Sequence, residues 1–332
     1  MNAFIHTIPV TRATSFHRSV APTTTRCRPQ LPSRRAYRAA HLSPSCLAAP
    51  APGSASANTS SDVEATPSTG HDCRIEIDGH KLAYDYFPGS GPIVVFLPGF
   101  FYSRWRQAKA NYLEISAKRK GQGILVEEYF GIGRSEGDFI KKGTLTRWIS
   151  DTVKLIKAVV GDEKVVIAGA GIGGWIMLHV AMQLPKQVVG LVGVNASVDF
   201  TEDLLWPSLT SEQKQEIEVT GSVNLPWGFR SYPIGKALLE DAKQWLVMRG
   251  EKGSLDVTCP VRLLHGMADE EVPPERTLQL LDKIRSSDVV AEMIKYADHA
   301  LEDDDDMRRM WDAVCDVSDR YYEYDLTSPS SG

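Results

Sequence analysis

From about residue 70 onward, short apolar runs alternate with longer amphipathic ones. Residues 74–77 and 81–87 alternate apolar with polar positions on either side of Asp78-Gly79, the period and turn chemistry of a β-hairpin. Residues 92–97 (PIVVFL) form a continuous apolar run, as a strand covered on both faces requires. Another buried strand is read at 188–194, and further strand signals at 123–129, 164–168, 261–264 and 289–294. Between them lie helical patterns. Residues 103–120 predict a basic helix ending at Gly121, and 172–184 one stopped at Pro185. Leu145, Trp148, Ile149, Thr152, Val153 and Ile156 recur at helical spacing and give one apolar face. Helix candidates also follow the last two strands. Such alternation predicts an α/β protein with a mostly parallel sheet covered on both sides. Between about 199 and 256 the alternation fails. Polar helical pieces with Trp206, Pro226-Trp227 and Phe229 there predict an inserted helical cap.

The first 65 residues do not share this pattern. Up to Ser61 the chain holds seven arginines and no Asp, Glu or Lys, and is rich in Ser, Thr, Ala and Pro. With no apolar run of the secretory type, this composition predicts a transit peptide for a mitochondrion or plastid; a disordered leader without a targeting role is the alternative. The domain is then expected over 66–326, with a disordered tail over 327–332. Without the seven arginines the net charge of −5 falls to −12, which argues against nucleic acid and anionic membranes as main partners. No apolar run reaches the roughly 20 residues of a membrane-spanning helix. Cys73, Cys259 and Cys315 have no metal-like spacing and read as free thiols packed as small apolar groups. No cofactor or metal is implied, and the oligomeric state is left open.

Four positions carry candidate chemistry. Leu97-Pro98-Gly99-Phe100-Phe101 ends a buried strand, where the backbone N–H of Phe100 can form half of an oxyanion hole. Gly169-Ala170-Gly171-Ile172-Gly173-Gly174-Trp175 lies between a strand and a helix. This is the setting of a Gly-x-Ser-x-Gly nucleophile elbow, with the Ile172 N–H as the second donor and Gly171 at the nucleophile position. Asp269 follows the strand at 261–264 and stands before Val272-Pro273, where it can orient an imidazole; read alone, it is a helix N-terminal acid. His299 follows the last strand and completes the order nucleophile, acid, base.

The chain is similar to the mitochondrial α/β-hydrolase-domain family of palmitoyl-protein thioesterases and acyl-glucuronide esterases, over roughly residues 92–321. The resemblance rests on FLPGF at 96–100, Gly131-Ile132-Gly133-Arg134-Ser135 and Thr144-Leu145-Thr146-Arg147-Trp148. It also rests on Gly173-Gly174-Trp175-Ile176-Met177-Leu178-His179, on PVRLLHGM at 260–267 and on Asp298-His299. It implies an α/β-hydrolase fold and cleavage of acyl esters and thioesters by a Ser–Asp–His triad. Two positions depart: the family's serine falls on Gly171, and an aspartate before the Gly-x-Gly-x-Ser turn falls on Glu128.

Glycine offers no hydroxyl for an acyl-enzyme, yet accepts the elbow's unusual backbone angles without strain. Three readings follow. The first is a feeble or inactive relative that still binds acyl ligands; a serine at 171 would restore the family's activity. The second is a hydrolase in which Asp269 and His299 activate a water. The third is a dinucleotide-binding protein through Gly169-x-Gly171-x-x-Gly174, although no acid stands about 20 residues on, as that fingerprint requires. Among the remaining features, Glu302-Asp303-Asp304-Asp305-Asp306 are expected to open the last helix rather than bind a metal. Arg104, Arg106, Lys109, Lys118, Arg119 and Lys120 are expected on a solvated helix face. Trp206, Trp227, Phe229 and Tyr232 either line an acyl pocket or hold the cap to the body.

Overall fold

The computed structural model describes residues 67–101, 108–227 and 230–327. The expected leader and tail, Arg104, Arg106, Phe229 and the side chain of Trp227 lie outside the described residues, although Thr327 still belongs to the last helix. In chain order the elements begin with β1 (Gly70–Ile77), β2 (His80–Phe87), β3 (Ser90–Leu97), α1 (Ala108–Lys120) and β4 (Gln122–Glu127). They continue with α2 (Phe139–Lys142), α3 (Leu145–Val159), β5 (Val165–Ala170), α4 (Ile172–Gln183) and β6 (Val188–Val194). Next come α5 (Trp206–Ser208), α6 (Ser211–Thr220), β7 (Ser222–Trp227), β8 (Arg230–Gly235) and α7 (Lys236–Ala242). The chain closes with β9 (Val261–Gly266), α8 (Glu275–Lys283), β10 (Val289–Ile294) and α9 (Asp304–Thr327).

Eight strands form one sheet in the order β1-β2-β4-β3-β5-β6-β9-β10. β2 runs antiparallel to β1 and β4, and the other pairs are parallel. The apolar runs are explained by two cores. Ile93, Val95 and Leu97 of β3 face a cluster with Trp148 of α3 and Trp175 of α4. Val94 and Phe96 face the other, with Leu113 of α1 and Val314 of α9. Alternate residues of one strand thus enter opposite cores, so no position is left for a polar residue. The strand order reverses between β3 and β5, which opens a crevice at their carboxyl ends. Gly99 and Gly171 meet there. The acidic run after Leu301 opens α9, with Asp304, Asp305 and Asp306 in its first turn, near the positive end of the helix dipole. Cys73, Cys259 and Cys315 are free, and burial pushes the Cys259 thiol up to about 12, which leaves it inert.

The insertion between β6 and β9 is more than helical. Besides α5, α6 and α7 it holds the antiparallel hairpin β7–β8, in which Val223 pairs with Ile234 and Leu225 with Tyr232. Pro226 and Pro233 obscure these strands in the sequence, because proline removes a ladder donor and marks edge positions. A buried carboxylate clasps the base of the insertion. Asp199 accepts the Val247 N–H at 3.0 Å and the Met248 N–H at 2.9 Å. Replacing it leaves two buried donors unpaired, so Asp199→Ala is expected to destabilise the protein by about 2–3 kcal/mol. Thermal unfolding of the variant beside the wild type checks this.

Candidate active site

The apex of the crevice is the turn from β5 into α4. Gly171 adopts φ 52° and ψ −119°, a region that residues with a Cβ occupy only under strain. Its N–H donates to Val194 O at 3.0 Å, and its carbonyl accepts from Gly174 at 3.0 Å and Ser197 at 2.9 Å. The neighbouring glycines are sterically obligatory. A Cβ on Gly169 would overlap the Gly173 carbonyl, one on Gly173 the Leu97 carbonyl, and one on Gly174 the Ala196 side chain. Position 171 differs. A Cβ there would meet only Gly99 Cα at 3.6 Å and Ser197 Oγ at 3.7 Å, ordinary van der Waals distances. The glycines spaced like a dinucleotide fingerprint therefore serve close packing of helix on strand, and the turn has room for a side chain at its tip. Ile172 begins α4, so its N–H is one of the helix's unpaired terminal donors. Phe100 faces the same cavity from the β3 side.

Asp269 and His299 come together above this turn. His299 Nδ1 lies 2.8 Å from Asp269 Oδ2. The other carboxylate oxygen accepts the Glu271 and Val272 N–H groups, both at 2.8 Å. Burial alone would raise the Asp269 carboxyl, but the hydrogen bond and charge of His299, with those two amides, hold it below its ordinary value. The carboxylate is thus ionised and fixed. His299 Nε2 lies 3.2 Å from Glu271 Oε2. Glu271 therefore occupies the approach to the ring nitrogen that a serine hydroxyl or a water would use.

The histidine loop is held by Asn195, a residue that the sequence pattern did not single out. Its Nδ2 donates to the carbonyls of Asp298 at 3.0 Å and His299 at 2.8 Å, while its Oδ1 accepts the Gly266 N–H at 2.9 Å. It stands at φ 44°, a left-handed conformation that asparagine tolerates better than most residues. An Asn just past an apolar strand was the available signal. His265 packs beneath, with Nε2 3.0 Å from Val272 O and Nδ1 2.6 Å from Thr277 Oγ1; burial lowers its pKa and keeps the ring neutral.

The motifs at 131–135 and 173–179 are structural. Glu128 accepts the Arg134 N–H at 2.6 Å and Nε at 3.0 Å, so the longer acid still closes its turn. Trp175 Nε1 donates to Trp245 O at 3.0 Å, and His179 Nε2 meets the same carbonyl at 2.9 Å. Burial pushes the His179 imidazole down to about 4, so it is neutral and donates.

A cavity of about 580 Å³ opens over the apex, within the usual range for small-molecule sites. Gly171, Ser197, His299 and Glu271 line it, with Phe100, Phe101, Phe200, Leu205, Tyr232 and Ile234 as apolar wall. Tyr232 stacks on Phe101 at 4.7 Å, so this cap aromatic lines the cavity. Trp206 instead packs with Leu209, Ile217 and Val223 in the cap's own core. One expectation is corrected here. Lys109 is buried rather than solvated. Its amine donates to Ala300 O, lies 3.5 Å from Glu302 and lines the cavity. The exposed Lys118 reaches the buried Glu114, and Lys120 pairs with the exposed Asp319. Among the described residues, His71, Asp85 and Glu114 form the group with metal-binding donors. The ring presents Nδ1 to Asp85 at 2.9 Å and Nε2 to Glu114 at 3.3 Å, so it bridges two carboxylates through opposite edges.

A mostly parallel sheet of this order, with a glycine-lined elbow after β5 and a carboxylate–imidazole pair after β9 and β10, defines an α/β-hydrolase-fold protein. Known proteins agree. The profile of the prolyl oligopeptidase family matches residues 145–314. The mitochondrial palmitoyl-protein thioesterase ABHD10 of Rattus norvegicus is 31% identical over 242 residues, covering 72% of this chain and 78% of the relative. Its Homo sapiens counterpart is 30% identical over 243 residues, covering 72% and 77%. The solved structure of alpha/beta hydrolase domain-containing protein 10 from mouse matches with a TM-score of 0.67 at 30% identity, over 75% of this chain and 98% of that one. Est1E from Butyrivibrio proteoclasticus, with ferulic acid bound, shares the fold at a TM-score of 0.60 and 18% identity, over 72% and 95%. The chain belongs to the ABHD10 family of α/β hydrolases, proteins of the ester and thioester hydrolase type.

Proposed function

We propose that this protein binds acyl esters and thioesters in the cavity over Gly171 and hydrolyses them slowly, the covalent route having been lost with the serine. The observation that carries the reading is the bare apex. An elbow with the strained angles of a nucleophile turn carries no side chain at its tip, and it lines one cavity with an imidazole backed by a buried carboxylate. Asp269 fixes the tautomer and orientation of His299, which acts as base and then acid. The N–H groups of Phe100 and Ile172 receive the oxyanion. The aromatic and leucine wall takes the acyl chain, and palmitoyl thioesters are the substrate class in the relatives' names. Those names also call the relatives mitochondrial, which together with the arginine-rich, acid-free leader supports a mitochondrial destination over a plastid. Among the described residues no helix is long and apolar enough to cross a membrane.

The test is steady-state hydrolysis of a p-nitrophenyl ester and a palmitoyl thioester by the full chain. The expected rate lies orders of magnitude below ordinary esterase rates yet above that of His299→Ala, with saturable binding of a non-hydrolysable acyl analogue. Ordinary esterase rates that vanish in His299→Ala would overturn the slow-turnover reading.

A further inference from the structure

Gly171 leaves the elbow without a hydroxyl, yet another hydroxyl lies beside it. Ser197 sits just past the end of β6, and its N–H donates to the Gly171 carbonyl at 2.9 Å. The backbone therefore ties this residue directly to the apex. Its side chain is buried and lines the same cavity as His299. Its Oγ stands 3.7 Å from the point where a Cβ on residue 171 would lie. The Ser197 hydroxyl thus lies in van der Waals reach of the place a side chain at 171 would occupy. The Ser197 hydroxyl donates to Asn195 O at 3.4 Å, well beyond the usual O–H···O distance. The hydroxyl is therefore only weakly engaged, and Ser197 lines the cavity beside the apex.

We infer that Ser197 seats the water that carries the residual hydrolysis, so that this reaction runs without an acyl-enzyme. The inference rests on the reading of the cavity as an acyl hydrolase site. Glu271 first turns away from His299 Nε2. The water oxygen then bonds to the acyl carbon while one of its protons passes to Nε2. Ser197 Oγ accepts the other water hydrogen and aims the lone pair at the carbonyl. The carbonyl electron pair becomes an oxyanion facing the Phe100 and Ile172 amides. When it collapses, the C–S or C–O bond breaks, and the proton on His299 goes to the departing thiolate or alkoxide. One ester or thioester and one water give one carboxylic acid and one thiol or alcohol. Ser197 is a positioning residue in this scheme. It acts on the water and forms no bond to substrate.

The experiment compares four full-length proteins on a p-nitrophenyl ester: wild type, Ser197→Ala, Gly171→Ser and the double variant, with His299→Ala as the blank. Ser197→Ala is expected to lower the residual kcat about tenfold, the worth of one good hydrogen bond, with KM little changed. In the Gly171→Ser background the same change is expected to cost several-fold less, because the serine takes over the attack. A purely structural role for Ser197 would lower both backgrounds equally, and that result would overturn the inference. Labelling of Ser197 in the wild type by a fluorophosphonate would also overturn it, since Ser197 would then be the nucleophile itself. So would a wild-type rate equal to that of His299→Ala. In that last case a gain in Gly171→Ser would leave the acyl-hydrolase reading standing, whereas no gain would remove the reading as well.

Discussion

Gly171→Ser is expected to raise ester and thioester hydrolysis by at least about a hundredfold. The estimate comes from what a nucleophile is worth. Removing the serine of a triad costs on the order of 10⁶ in kcat, while the oxyanion donors and binding retain roughly 10³–10⁴ over water. The surrounding geometry accepts a side chain at this position. A Cβ at 171 would touch nothing closer than 3.6 Å, and the turn already holds the angles an elbow serine needs. Asp269 is fixed by three donors within 2.8 Å. Two obstacles limit the gain. Glu271 stands 3.2 Å from Nε2 and competes for it, and a side chain at φ 52° is strained. The second effect is expected to cost about 1–3 kcal/mol of stability. Initial rates on a p-nitrophenyl ester, with His299→Ala in the same background abolishing the gain, check the prediction. An unchanged rate would mean that the imidazole and apex are not in productive register.

Glu127→Gln is expected to stabilise the protein strongly at alkaline pH. Glu127 is fully buried on β4, and burial pushes its carboxyl up to about 8. Thr152 Oγ1 has one proton and two oxygen neighbours, Glu127 Oε2 at 2.8 Å and Trp148 O at 2.7 Å. A protonated Glu127 satisfies both, donating to the hydroxyl while Thr152 donates to the carbonyl. Because the folded state binds this proton more tightly than the unfolded chain, the contribution is complete below about pH 4.5. It fades as pH rises through about 8. Glutamine presents an N–H to Thr152 at every pH and never ionises. The variant's advantage should therefore grow across that window and reach roughly 4 kcal/mol near pH 9. Urea unfolding of both proteins between pH 5 and 9 measures it. Parallel curves would show that Glu127 is ionised in the native protein.

How far the sequence spoke depends on whether a feature is local. The strand at 188–194 is legible to the residue, because burial on both faces demands an unbroken apolar run; the edge strand at 289–294 shows itself by its β-branched and apolar residues although none of them is buried. The glycine turn is legible because its spacing between a strand and a helix is local, although only Gly169 answers a close contact inside that unit, while Gly173 meets Leu97 and Gly174 meets Ala196. Asp269 and His299 were placed by chain order and meet at 2.8 Å. The hairpin β7–β8 was not read, since two prolines sit where ladder donors belong. Asn195, Ser197 and Glu271 were also missed. Each matters through partners far away in sequence, as when Asn195 reaches Asp298 and His299, and no local pattern encodes such a meeting. Lys109 reads as one of a row of surface lysines until α1 packs it beside the Ala300 carbonyl.

Trp175 and His179, one turn apart on α4, grip the same carbonyl of Trp245 at the exit of the cap. The helix that Gly171 caps is therefore also the post to which the roof is nailed. Two hydrogen bonds through a single carbonyl thus tie the insertion to the helix that carries the elbow, so a disturbance at Trp245 is felt along the backbone that holds Gly171.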